Sequence, residues 1–111
     1  RVEQMLALIH DHFDQSLKIS DVVAASGLHP SNANAAFRKV LGITIGEYMR
    51  RHRLRHAMRL LVETDLEIAE VAYECGYAST TRLYDAFQKR MGKTPRRYRL
   101  DSRRRDESPA S

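Results

Sequence analysis

Ile19, Val22 and Gly27 recur 49 positions later as Ile68, Val71 and Gly76, and Phe37, Lys39, Gly42, Thr44 and Tyr48 recur 50 positions later as Phe87, Lys89, Gly92, Thr94 and Tyr98. A self-similarity of this period means two copies of one supersecondary unit, so whatever one copy folds into constrains the other. The one-residue slip falls in the turn between the two halves of the unit. A chain of 111 residues can bury one modest core, or hold two lobes of about 50 residues each if something rigid couples them.

The unit is helical. Apolar residues recur at three and four rather than at two, as in the stripe Val2, Met5, Leu6, Ile9 and Phe13, and no segment alternates convincingly as a strand. The pattern predicts a helix over 21–26 with Ser20 as N-cap and Gly27 as a left-handed stop. Pro30 suits the first turn of the next helix, which runs to Leu41 and closes at Gly42. Thr44 to Glu47 has capping-box spacing and opens a helix to about residue 62. A further pair of helices is expected over roughly 66–74 and 79–91. Each copy is then a short helix, a tight turn at glycine, a second helix with an inward Phe, and a Thr-capped following helix. That is the layout of a helix-turn-helix, although a hairpin duplicated only for packing would share it.

Charge separates these two readings. Residues 1–49 carry 4 basic and 5 acidic side chains, 50–59 carry five Arg and no acid, 60–81 carry five acids and no Lys or Arg, and 82–111 carry ten basic and four acidic groups. The overall +5 is therefore concentrated on the connecting helix and on the outer helix and tail of the second copy, as a phosphate-facing surface requires. A solvated basic face is the plain alternative.

The second copy reads Ile68-Ala69-Glu70-Val71-Ala72, Cys75-Gly76-Tyr77, Phe87 and Gly92-Lys93-Thr94-Pro95-Arg96-Arg97-Tyr98-Arg99. This resembles the C-terminal signature of the AraC/XylS family of bacterial transcription regulators. The first copy and the stretch from Glu47 through Arg59-Leu60-Leu61 resemble it too, so the likeness covers about residues 3–99. It implies an all-α fold of about seven helices, two helix-turn-helix lobes (about 1–43 and 63–100) joined by a long linker helix (about 45–62), and a second helix of each lobe in the DNA major groove. It also implies an activator that contacts RNA polymerase, an expectation resting on that likeness alone, and a separate N-terminal effector-binding or dimerisation domain, an expectation matched by the start at Arg1 rather than Met. His29 stands where the family often has Ser, so the cap of the first recognition helix is expected to differ. A linker of some 18 residues would span about 27 Å at 1.5 Å per residue, close to the ~34 Å between successive major-groove faces.

Within that frame the outer stripe of the first recognition helix is Ser31, Asn34, Ala35 and Arg38. Asn34 is the best base reader, because an amide can bond adenine N6 and N7 together; Ser31 can meet a base or a phosphate, and Arg38 grips backbone. The second recognition helix presents Thr80, Thr81, Tyr84, Asp85 and Gln88. Thr80, Thr81 and Tyr84 are expected at bases, and Ser79, Arg82, Gln88, Arg50 and Arg97 at the phosphate backbone. Asp85 is expected to pair with Arg82 or Lys89, the alternative being a cytosine amino group. Residues 101–111 have little apolar content and are expected to be a disordered basic tail.

No cofactor, metal or catalytic group is expected. His52 and His56 at i and i+4 lack further ligands and lie among five Arg, and Cys75 alone can form neither an internal disulfide nor a zinc site. No apolar run approaches the ~20 residues of a membrane span, and no signal peptide is seen. The expected partner is double-stranded DNA, with no membrane, in a bacterial cytoplasm at the nucleoid, and the isolated domain is expected to be monomeric. The alternative is that Arg50 to Leu61 forms a basic amphipathic helix for an anionic membrane surface or an acidic protein partner.

Overall fold

The structure, a computed structural model, describes residues 1–107. Seven helices follow one another: α1 (Val2–His12), α2 (Ile19–Ser26), α3 (Pro30–Leu41), α4 (Ile45–Glu63), α5 (Ile68–Glu74), α6 (Thr80–Met91) and α7 (Pro95–Glu107), with no strand among the described residues. The expected all-α architecture is therefore present, with differences at the ends of elements that have local causes. α2 begins at Ile19 because its start is capped by Asp21, whose carboxylate accepts the Lys18 amide proton at 2.9 Å, and not by Ser20. α5 begins at Ile68, two residues later than expected, with Glu70 accepting from the Glu67 amide in the same way at 3.3 Å. A carboxylate three residues into a helix serves an otherwise orphaned backbone donor and opposes the helix dipole.

The repeat is visible in the caps. α3 and α6 both stop at a glycine in the left-handed region, Gly42 at φ +80° and Gly92 at φ +70°, where a β-carbon would be strained. The threonine two residues later then opens the next helix: Thr44 Oγ1 accepts the Glu47 amide proton at 3.2 Å, and Thr94 Oγ1 accepts that of Arg97 at 3.1 Å.

The chain forms two compact units, Arg1–Arg53 and the part from Leu54 onward. The first core gathers Met5 and Ile9 of α1, Val22 and Val23 of α2, Ala33 and Phe37 of α3, and Ile45 and Met49 of α4. The second gathers Leu54, Ala57 and Leu61 of α4, Val71, Ala72 and Cys75, and Leu83 and Phe87 of α6. In each, a fully buried Phe meets a Tyr edge to face: Phe37 and Tyr48 at 5.5 Å between ring centroids, Phe87 and Tyr98 at 5.4 Å. Aromatic pairs of this geometry add about 0.5–1.5 kcal/mol beyond the area they bury.

The long helix expected over 45–62 is present as α4, and its first half supplies the last wall of the first core and its second half the first wall of the second, because each half carries its own apolar positions. One expectation needs correction. The tail expected to be disordered from residue 101 is helical as far as Glu107, continuing α7. Ser102 is buried there, and Arg103 donates to the Thr64 carbonyl at 3.1 Å and to the Asp65 carboxylate at 2.5 Å. Composition hid this, since the segment docks through polar anchors and not through apolar side chains. Residues 108–111 of that expected tail lie outside the described residues.

Candidate nucleic-acid interface

Positions 31–40 of α3 and 81–90 of α6 pass through exposed, half-buried and buried in the same order, residue for residue. Ala33 and Phe37 face the first core as Leu83 and Phe87 face the second, which turns Ser31, Ala35 and Arg38 outward on α3 and Thr81, Arg82, Asp85 and Gln88 outward on α6. Asn34 and its counterpart Tyr84 are half-buried, as is Thr80 in the first turn of α6. The structure thus brings Ser31 and Arg38 onto the outward face of α3 and Thr81, Arg82 and Gln88 onto that of α6, with Asn34, Thr80 and Tyr84 half-buried beside them.

Asn34 has a second duty that its sequence position concealed. Its Oδ1 accepts the backbone proton of Ile45 at 3.3 Å, filling one of the vacant donor positions at the start of α4. A two-point contact with adenine uses that same oxygen as acceptor, so the Ile45 amide takes one of its two lone pairs and leaves the other, with the side-chain NH2, for an outside partner. The equivalent donor does not exist in the second unit, because Pro95 occupies the position of Ile45 and has no N–H. Tyr84 therefore has no such backbone donor to serve.

The N-termini of the two helices also differ. Ser79 Oγ accepts the Arg82 amide proton at 3.2 Å, the expected serine cap. At the start of α3 the acceptor is the imidazole of His29, whose Nδ1 lies 3.3 Å from the Ser31 amide and 2.9 Å from the Ser31 hydroxyl. With Nδ1 as acceptor the Ser31 hydroxyl spends its proton internally and keeps its lone pairs for a donor outside.

The basic surface is partly neutralised. Arg50 reaches Glu47 at 3.1 Å and Arg51 reaches the other oxygen of the same carboxylate at 2.9 Å. Arg97 bonds Asp101 at 3.0 Å and Lys93 bonds it at 2.8 Å. The Lys93 hydrogen bond, helped by Arg97 against some desolvation, holds the Asp101 carboxyl below the usual carboxylate range. Three further arginines are structural: Arg53 donates to the carbonyls of Phe13 (3.3 Å) and Leu17 (2.7 Å), Arg99 to those of Leu61 (2.9 Å) and Thr64 (3.2 Å), and Arg103 as above. Burial, then the neighbouring Arg103 charge, lowers the proton affinity of Arg99 against the pull of Asp65, although a guanidinium stays charged throughout. Charge counting could not separate these anchors from phosphate-facing groups. Conversely, Lys39 and Lys89 stand exposed at matching places in the last turns of α3 and α6, a pair legible in the repeat and not assigned from it.

Asp85 is exposed and forms no ion pair with Arg82 or Lys89 among the described residues, contrary to the pairing expected from spacing. His52 stacks on His10 at 4.8 Å with 9° between the rings, so their ring planes are parallel and their nitrogen lone pairs do not converge on one point. Among the described residues no group of three or more His, Cys, Asp or Glu is placed to hold a metal ion. Burial pushes the Cys75 thiol up to about 12, with Glu74 adding to the rise and Arg59 opposing it, which leaves no thiolate at neutral pH. No described helix is long and apolar enough to cross a membrane.

Comparison with known proteins gives this surface a context. A family model described as a helix-turn-helix domain matches residues 6–101. The chain is 36% identical over 109 residues to the melibiose operon regulatory protein of Escherichia coli K12, covering 97% of this chain and 36% of that protein. It is 34% identical over 98 residues to the xylose operon regulatory protein of the same organism, covering 88% and 25% respectively. The chain thus spans about a third or less of the length of these relatives. Among solved structures, the DNA-binding domain of AdpA, a global transcriptional factor in complex with a target DNA, superimposes with a TM-score of 0.88 at 25% identity, covering 96% of this chain and 97% of that one. Two repeated helix-turn-helix units, a family match over nearly the whole chain and these relatives lead to one assignment: the chain belongs to the AraC/XylS family of helix-turn-helix transcription regulators.

Proposed function

We propose that the chain binds double-stranded DNA sequence-specifically within a bacterial transcription regulator, with α3 and α6 entering successive major grooves. The observation that carries this reading is the matched outward stripe of the two helices, which repeats in position while differing in chemistry. Duplicated packing with diversified surface residues is what two readers of different base sequence need. The AdpA domain, alike over nearly its whole length, is itself in complex with target DNA, which supports the same use here.

Ser31, Asn34, Thr80, Thr81 and Tyr84 are the base-contacting groups in this reading. Arg38, Arg82, Gln88 and the Ser79 end of α6 hold the phosphate backbone, and Arg50 and Arg97 join them by exchanging a carboxylate for a phosphate. The reading extends to activation through RNA polymerase, to a cytoplasmic site of action at the nucleoid, to an effector-binding or dimerisation domain N-terminal to this segment, and to a monomeric state of the domain by itself. The names of the relatives, both operon regulatory proteins, support the regulatory part. The competing membrane or acidic-partner reading of residues 50–61 loses its basis because Leu54, Ala57 and Leu61, the apolar side of that segment, are committed to the second core.

The test is selection from a random duplex library followed by titration against salt. The reading predicts an enriched sequence, and a logarithm of affinity that falls linearly with the logarithm of salt concentration by about 0.9 for each phosphate contacted. No enrichment together with a flat salt response would refute it.

A further inference from the structure

The outward stripe of α6 holds one acidic side chain. Asp85 is exposed, lies one helical turn from both Arg82 and Lys89, and is bonded to neither among the described residues. An Asp at this place is unfavourable for a helix that meets a polyphosphate, because a carboxylate close to the backbone is repelled and displaces no counterions. It needs a donor on the partner. As an ionised group it is acceptor-only, so the guanine and thymine acceptors of the major groove are closed to it, and two amino groups are left. Adenine N6 lies beside the N7 acceptor of its own base, which faces a carboxylate with like partial charge, whereas cytosine N4 has no acceptor beside it on its own groove edge.

We propose that Asp85 is a specificity-determining residue that accepts a hydrogen bond from a cytosine N4 amino group in the half-site met by α6. The inference rests on the DNA-binding reading above and adds a base identity to it. Its counterpart across the repeat, 50 positions earlier, is the exposed Ala35 of α3, which offers a methyl group and no acceptor. The two lobes therefore differ at this position in the kind of base edge they can select: the α3 side suits an apolar contact such as a thymine methyl.

The experiment is site selection from a random duplex library with four proteins: the natural chain, Asp85→Ala, Asp85→Asn and Ala35→Asp. Thermal melting of each checks that the fold survives, as expected for exposed positions. The natural chain should prefer cytosine at one position about 10-fold or more over other bases. Asp85→Ala should flatten that position alone, Asp85→Asn should move it toward adenine, and Ala35→Asp should create a cytosine preference at the matching position of the other half-site. If Asp85→Ala instead tightens binding to all duplexes alike and leaves every preference unchanged, Asp85 is only a repulsive charge and the proposal is overturned. Failure of the natural chain to enrich any sequence would overturn the DNA-binding reading and this proposal together, a result distinct from enrichment that ignores Asp85.

Discussion

The two units share a packing scheme and differ in how their surface groups are employed. Both bury a Phe against a Tyr, stop the second helix at a left-handed Gly and open the next with a Thr cap. Yet Asn34 in the first unit serves the Ile45 amide, while in the second Pro95 holds the equivalent position and leaves Tyr84 no such donor to serve. The i,i+4 ion pair after the Thr cap is kept with its signs exchanged: Glu47 with Arg51 in the first unit, Arg97 with Asp101 in the second. Even the arginine that ties the last helix back to the first corner recurs, Arg53 on the Leu17 carbonyl and Arg103 on that of Thr64. Duplication has preserved what holds each unit together and released what faces outward.

The strongest test of this likeness lies in the cores. Phe37→Ala and Phe87→Ala should each cost about 3–5 kcal/mol, the range for a large aromatic removed from a packed site. The likeness breaks if chemical denaturation shows one substitution to be severe and the other mild.

The difference at Asn34 is next in size. Asn34→Ala should lower stability by about 1 kcal/mol through the loss of a cap-like acceptor. In an Ile45→Pro background, which removes the donor as Pro95 does in the second unit, the same substitution should cost nothing further. A double-mutant cycle with no coupling would show that the bond to Ile45 contributes nothing.

The arginines paired to carboxylates after the Thr caps give a smaller signal. Replacing Arg50 or Arg97 by Gln should weaken binding to all duplexes to a similar extent and reduce the salt slope by about 1 each, if both leave their carboxylates for phosphate. A slope unchanged in one unit and reduced in the other would make the electrostatics of the two lobes unequal.

The smallest effect is the pH dependence around Asp101. Its carboxyl is held below its ordinary value by Lys93 first and Arg97 second, so ionisation favours the folded state above the unfolded-state pKa, and the advantage is lost as pH falls through the lower folded value. Asp101→Asn should therefore be less stable than the natural chain at neutral pH, with the two melting temperatures converging as the carboxylate is protonated in acid. For an exposed pair the gap is small, and a gap that widened in acid would reverse the sign.

Much of this was legible in the sequence because the repeat announces itself through residues with narrow tolerances. Gly42 and Gly92 need positive φ, Phe37 and Phe87 need a core, and Thr44 and Thr94 need a helix to cap, so their recurrence fixes the order of elements. What stayed hidden depends on hydrogen bonds to backbone groups, which leave no periodic trace. Arg53, Arg99 and Arg103 look like phosphate ligands in a charge count and act as anchors on carbonyls. Asn34 looks like a free reader until its neighbour Ile45 is seen to need an acceptor, and the helical extension of α7 past residue 100 follows from polar docking that hydrophobic patterning cannot register.

The central proposal is that each unit presents one reading helix, and that α4 sets the phase between the two. Inserting one alanine between Arg53 and Leu54, at the boundary of the units, leaves the residues of both cores intact while turning the helix by about 100° and lengthening it by about 1.5 Å. Hydroxyl-radical footprinting of a single monomer on the selected site is the direct measurement. The natural chain should protect two groove-facing clusters about 10 base pairs apart on one side of the duplex. The insertion should abolish one cluster and reduce specific affinity about 100-fold, the loss expected for two base pairs at about 1–3 kcal/mol each, with nonspecific affinity little changed. A footprint and affinity untouched by the insertion would contradict the account, leaving one unit as the reader and the other to a different partner.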